Sequence, residues 1–546
     1  MANVKFSRKE FEKYVKITPE IEEKIAMFGT PLESLTDDKI EIEVFPNRPD
    51  LLSMHGFLRG FLGFLGKKTG LKEYKLNNPE KDYEVIVDKS VLDVRPYTAC
   101  AIIKEISFDG DKIKEIIDIQ EKLHGTIGRN RKKIAIGIYP LEKIKLPIRY
   151  EARDPKEIRF VPLDAKAEMT GKQILTSHPT GRDYAHLLEG KEKFPIFIDS
   201  NDEILSMPPI INSHKIGRID MKTKEIFIEC SGFDLRILSK TLNILVTMFA
   251  EMGGKVYQIN VKHPKKSYIT PNLTPEKMKI NVTNVNKLLG LELSEKEVAR
   301  NLEKMGYEYR KGEVLVPSWR TDILHENDLI EDVAIGYGYN NFTPKISSVS
   351  FNGKEDPKEF KKRKIAEILQ GLGILEISNY HLTTIQDQFK TVGMKKNNYI
   401  ELVDSKTEKN ILRKNLIHYA LKILGENLDS EYPQKIFELG KVFEPDDTKD
   451  TRVREEERLC IAIADAKTGF TDMKQNLDYL MRMLDKEYSL ESVESPYYIN
   501  GRAAKIIVGD KGIGYIGEIA PRILNNLKVK MPISALELNV DELLKE

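Results

Sequence analysis

Cysteine is nearly missing: in 546 residues only Cys100, Cys230 and Cys460 occur, far apart and without a CxxC pair. That excludes a disulfide framework and a thiolate zinc site, and it fits a reducing cytoplasm. Net charge is missing too, because 86 Lys and Arg almost cancel 85 Asp and Glu. The chain as a whole therefore exerts no pull on nucleic acid, so any RNA contact must be local or shared with a partner. No apolar run is long enough for a bilayer. The greasiest, FLRGFLGFLG at 57–66, is too short, and the charged start MANVKFSRKEFEKYV has no signal core, which reads as a chain without membrane association. The nine histidines show no HxxxH or HExxH spacing and are read as structural, and the single tryptophan, Trp319, as a packing residue.

What is present is bulk: 40% hydrophobic content over this length predicts three or four domains. The first, 1–82, runs from a charged helical pattern through the acidic strand KIEIEVF into PNRPDLLSMHGFLRGFLGFLG, where Asp50 is expected to cap the apolar helix. Residues 83–262 mix short strands (YTACAIIKEI, KKIAIGIY, EIFIEC) with helices and end in the helical run DLRILSKTLNILVTMFAEMGG, the pattern of one α+β domain. The Pro-rich, basic stretch HPKKSYITPNLTP reads as a linker to a helix-rich unit at 270–345, with a further boundary at 347–357. From 350 to 546, period-two strands outnumber what a parallel series supplies, so a largely antiparallel sheet with flanking helices is expected, including a helix at 411–424. The whole is an α+β multidomain chain.

The most informative segment is RTDILHENDLIEDVAIGYGY at 320–339. Leu329, Ile330, Val333 and Ala334 recur at helical spacing, and Gly336 or Gly338 closes the helix. Asp328, Glu331 and Asp332 then stand at i, i+3 and i+4, and Asp322 just before the helix can fold back towards them. Like charges at this spacing repel by a few tenths of a kcal/mol per pair, roughly, and a hard divalent cation relieves that. Magnesium suits such a site, since it takes oxygen ligands and keeps several waters. The competing reading is a solvated acidic helix face.

The run VPSWRTDILHENDLIEDVAIGYGYN resembles the fifth domain of phenylalanyl-tRNA synthetase beta subunits of the archaeal/eukaryotic type. Three further matches carry the resemblance across nearly the whole chain: VFPNRPDLLSMHG; GRNRKKIAIGIYPLEKI with LSMPPIINS; and KIFELGKVF with INGRAAKIIVGDKGIGYIGEIAP. The resemblance implies magnesium ligands Asp322, Asp328, Glu331 and Asp332 at a contact with an alpha subunit, within a small helical, winged-helix-like domain. It implies a mixed α/β editing domain and a class II synthetase-like antiparallel sheet. It also implies a cytoplasmic heterotetramer of two alpha and two beta chains, acting on tRNA(Phe) with ATP bound mainly on the alpha subunit. By the same resemblance an editing pocket that hydrolyses mischarged Tyr-tRNA is expected between MPPIINS and FIECSGFD, with Asn212, Ser213, Glu229, Ser231 and Asp234 as polar contacts and Gly232 allowing close approach.

The last module lacks the arginines by which class II synthetases hold ATP: KIFELGKVF carries none, and GYIGEIAP meets Pro521 before Arg522. Aminoacylation chemistry is therefore expected elsewhere, with this module a scaffold and no HIGH-like signature present. Gly512, Gly514 and Gly517 spell GxGxxG, but KIIVGDKGIGYIGEI reads as strand, turn and strand rather than a strand opening a helix. Arg413 is placed on the 411–424 helix, as a partner-positioning or a solvated charge. Two other readings are a nucleic-acid-binding or scaffold protein using 273–339 as a helix-turn-helix, disfavoured by its acidic recognition helix, and a free-standing editing hydrolase.

Overall fold

The computed structural model describes residues 2–346, 349 and 352–545, so part of the boundary expected at 347–357 lies outside the described residues. The chain divides into two compact units, Met1–Lys345 and Ile346–Glu546. Among the described residues, no helix is long and apolar enough to cross a membrane.

In the first unit the strand Tyr97–Lys104 is apolar on both faces, and its alternation feeds two cores. Ala99, Ala101 and Ile103 join the core under the helices Gly110–Gly125 and Leu235–Glu251. Cys100 and Ile102 join the core shared with a second, seven-stranded sheet. A strand buried on both faces reads as a continuous apolar run, which is how YTACAIIK appears in the sequence. In the five-stranded sheet Ile226–Gly232 is flanked by Tyr97–Lys104 and by Ile134–Pro140, and Ile134–Pro140 is an edge. In the seven-stranded sheet the short strand Ile211–Asn212 is also an edge.

The N-terminal segment adds a three-stranded sheet and the helix Met54–Phe64, whose cap is Ser53, accepting from the Gly56 amide at 3.0 Å. Asp50, expected as that cap, lies instead in the turn Pro49–Leu51 and takes both oxygens to Arg48, at 2.9 Å each. The segment 276–337 folds as the helices Val282–Leu289, Glu295–Lys304 and Glu326–Tyr337 with an antiparallel three-stranded sheet. Those strands (EKMK, EYR, EVLV) are three or four residues long, and the first two are mostly charged, which hid them from a reading by period. One hydrophobic core runs through all three segments, from Val4 to Val333.

The second unit is a seven-stranded sheet, antiparallel except where Leu375–Glu376 pairs parallel with Gln434–Pro445. Tyr498–Val508 and Lys511–Ile519 form a hairpin, so the GxGxxG glycines lie on a strand and open no helix. The helix expected at 411–424 is shorter: Ile411–Leu412 is a strand and the helix is Ile417–Glu426. Arg413 therefore sits in the turn between them, 1% exposed, donating to Glu438 Oε1 at 2.6 Å and to the Lys441 carbonyl at 2.7 Å. A buried pair of this kind holds its own module together and presents no charge to a partner.

Candidate functional site

Where the two sheet edges approach each other, a cavity of about 630 Å³ opens, lined by Ile136, Ile138, Ser206, Pro208, Asn212 and Glu229 among others. Glu229 faces Gly137 across the sheet, and a Cβ at Gly137 would collide with both the Tyr139 hydroxyl and the Glu229 carboxylate. Glycine there is what leaves the space. Oε1 of Glu229 accepts from the Tyr139 hydroxyl at 3.2 Å, while Oε2, fully buried, has no hydrogen-bond partner among the described residues. Burial pushes the Glu229 carboxyl up to about 8, although the Tyr139 hydroxyl, the Arg95 guanidinium and the nearby Ser231 hydroxyl pull the other way. A carboxylic acid that keeps its proton at neutral pH is both a donor and an acceptor.

The helical wall is set by His124, whose Nε2 accepts from the Ile136 amide at 2.8 Å, which leaves Nδ1 to donate to Glu121. Burial lowers the His124 imidazole below its ordinary value, against the pull of Glu121, so the ring stays neutral. Beside it the basic turn GRNRKK carries three consecutive left-handed residues, Arg129, Asn130 and Arg131. Such conformations cost about 1 kcal/mol or more each without glycine and persist only where neighbours enforce them. Here Arg131 donates to the Ile210 carbonyl at 2.9 Å and lies over the Tyr184 ring at 4.3 Å, and buried Arg95 donates towards the carbonyls of Arg131 and Lys132.

Of the five polar residues expected here, the structure brings Glu229 and Asn212 together at the cavity, with the Tyr139 hydroxyl 3.4 Å from Asn212. Ser213 is buried in the strand bridge behind the lining, its amide bonded to the Leu205 carbonyl. Ser231 accepts from Arg95 Nε at 3.2 Å. Asp234 is the exposed N-cap of the helix Leu235–Glu251, accepting from the Arg236 amide at 2.8 Å. Gly232 packs against the Lys133 carbonyl, which fills the close approach expected of it. Tyr139, His124 and Arg131 were missed, although GRNRKKIAIGIY holds Arg131 and Tyr139, and Gly137, the glycine facing Glu229, sits against the Tyr139 hydroxyl; no signal in the residue string marks His124.

The four acidic residues at 322–332 take three different positions. Asp322 holds Arg320 with both oxygens, at 2.8 Å each, and Asp332, 4% exposed, meets the same guanidinium at 2.7 Å and the Tyr307 hydroxyl. Burial opposes the charge on Arg320, yet Asp332, Tyr307 and Asp322 hold it well above its ordinary value. Asp328 turns to the helix start, where one oxygen accepts the amides of Leu324 and His325, and Glu331 is exposed. Among the described residues no three His, Cys, Asp or Glu side chains stand close enough to hold a metal ion. The donor set still suits a hydrated hard cation. All four side chains offer oxygen, Glu331 is open, Asp328 keeps one oxygen without a partner among the described residues, and Arg320 already neutralises the two deeper carboxylates.

Two family models match: the tRNA synthetase B5 domain at 278–339 and the phenylalanyl tRNA synthetase beta chain CLM domain at 343–540. Both are modules of aminoacyl-tRNA synthetases. Similar chains are the phenylalanine–tRNA ligase beta subunits of Pyrococcus abyssi (38% identical, covering 90% of this chain and 89% of that one) and Archaeoglobus fulgidus (38%, 95% and 94%). The beta subunit of Methanocaldococcus jannaschii is 36% identical over 99% of this chain and all of that one. The crystal structure of an N-terminal fragment of the Pyrococcus horikoshii beta subunit is similar with a TM-score of 0.59 at 36% identity, covering 62% of this chain and 99% of the fragment. The chain belongs to the phenylalanine–tRNA ligase beta-subunit family.

Proposed function

We propose that the chain pairs with a separate alpha subunit, in a tetramer of two alpha and two beta chains that charges tRNA(Phe) with phenylalanine at the expense of ATP, and that the 630 Å³ cavity hydrolyses mischarged Tyr-tRNA. The observation that carries the second part is the unpaired, buried Oε2 of Glu229. Tyrosine is phenylalanine plus one hydroxyl, and an apolar synthetic pocket rejects such an isostere by only about a hundredfold. A second site that rewards the hydroxyl repairs the error. A phenolic hydroxyl reaching Glu229 satisfies an orphaned polar group, whereas phenylalanine leaves it unpaired at a cost of about 1–3 kcal/mol. Water then cleaves the ester, releasing tyrosine and free tRNA. Glu229→Gln and Glu229→Ala should each lower the deacylation rate of Tyr-tRNA(Phe) at least tenfold while the complex still charges phenylalanine. Undiminished deacylation by both variants would move the pocket elsewhere.

Magnesium is proposed at the face of Asp328 and Glu331, with Asp322 and Asp332 behind, where it would screen their charge at the contact with the alpha subunit. With only Glu331 and one oxygen of Asp328 open on this chain, water and the second polypeptide complete the coordination shell. Association of the two subunits, followed by sedimentation, should weaken on chelation and in Glu331→Gln. Association indifferent to both would leave Arg320 as the neutralising cation.

A further inference from the structure

A second cavity, of about 220 Å³, is enclosed by Arg48 and Asp50, the helix Met54–Phe64, the loop 68–72, and Trp319 with Arg320. Both carboxylates that line it are engaged. Asp50 takes Arg48 bidentately, and Glu251 takes Lys72 at 2.7 Å and the Tyr74 hydroxyl. What remains is unused donor capacity. Arg320, 3% exposed, spends Nε and Nη2 on Asp322 and Asp332, and its buried Nη1 has no partner among the described residues. The Arg59 guanidinium lies 4.3 Å over the Trp319 ring, and its Nη2 is likewise buried and unpaired. Lys68 stands exposed at the rim.

We propose that this cavity is a phosphate-binding site in which Arg320 Nη1 and Arg59 Nη2 grip the oxygens of one phosphate group from two sides. Planar guanidinium donors match an oxyanion in both charge and geometry, and Trp319 holds the Arg59 plane in place. Buried N–H groups left unpaired are costly, and the occupant must bring acceptors, since the carboxylates at hand are already taken. The phosphate comes either as a free inorganic anion or as a phosphodiester of an RNA backbone.

Calorimetric titration of the full chain with inorganic phosphate, at ionic strength matched with chloride, tests the site. Saturable binding is expected, weakened about tenfold or more in Arg59→Gln, the loss of one charge-assisted hydrogen bond. Thr69→Glu, an exposed change that sets a negative charge at the mouth, should weaken it similarly without altering the melting midpoint. A single-stranded RNA oligonucleotide that competes with phosphate and loses affinity in both variants identifies the phosphodiester as the source. Phosphate binding without such competition identifies the free anion. No saturable binding of either probe, or binding unchanged in Thr69→Glu and in folded Arg59→Gln, overturns the proposal.

Discussion

Glu229 carries more of the chemistry than any other side chain, and its protonation is open to measurement. The folded chain keeps the Glu229 proton up to about pH 8, while an unfolded carboxyl loses it near the ordinary value of 4.5. Its contribution to stability is therefore full below that lower value and is lost as pH rises through the higher one. Chemical denaturation across that window should show stability declining with pH in the native chain, and Glu229→Gln should flatten the slope. An unchanged slope would mean that the carboxyl is already ionised at neutrality. Asp234→Ala serves as the contrast. It removes a helix cap, so it should cost about 0.5–2 kcal/mol by thermal or denaturant unfolding and leave Tyr-tRNA deacylation within twofold once the protein is folded. The sequence marked Glu229 and Asn212, but a residue string cannot say which of several adjacent polar groups face a cavity and which cap a helix. Recurrence was the neglected signal at 320. Arg48-Pro49-Asp50 and Arg320-Thr321-Asp322 share the same R-x-D spacing and make the same bidentate pair.

At the scale of elements, close approach decides what the sequence tolerates. A Cβ on Gly336 would stand 2.5 Å from the Asn301 carbonyl oxygen, so the helices Glu295–Lys304 and Glu326–Tyr337 touch backbone to backbone. Gly336→Ala should cost about 1–3 kcal/mol in unfolding free energy, because overpacking must push the two helices apart. Normal stability in that variant would show that the crossing is loose. In the second unit Arg413→Met leaves the Glu438 carboxylate buried without its cation, and a loss of about 3–5 kcal/mol is expected in denaturant titration. Most elements were legible where their period was clear: the helix closed by Gly338, the long helix Leu235–Glu251, and the hairpin that disqualifies GxGxxG. The segment 411–424 was read as one helix because ILRKNLIHYALKIL keeps an apolar spacing throughout. Tertiary demand on Arg413 turned its first residues into strand and turn instead.

At the scale of the molecule, the division at Lys345 predicts that a chain ending there folds by itself. Such a fragment should unfold cooperatively and retain the Glu229 cavity, seen as the same pH slope in its stability. A fragment that is molten or aggregates would show that the first unit depends on the second. The domain count read from length was three or four, whereas packing joins the first three segments through one interior. Composition shifts mark where segments change, and only contacts show which of them share a core. That sharing has a consequence during synthesis. The helix Met54–Phe64 packs against Leu235–Glu251 and Glu295–Lys304, so the apolar face of this early stretch leaves the ribosome uncovered until those later helices follow. Chaperone occupancy of that early stretch, released only when the segment ending near Lys304 emerges, is the behaviour such a late-closing interior demands.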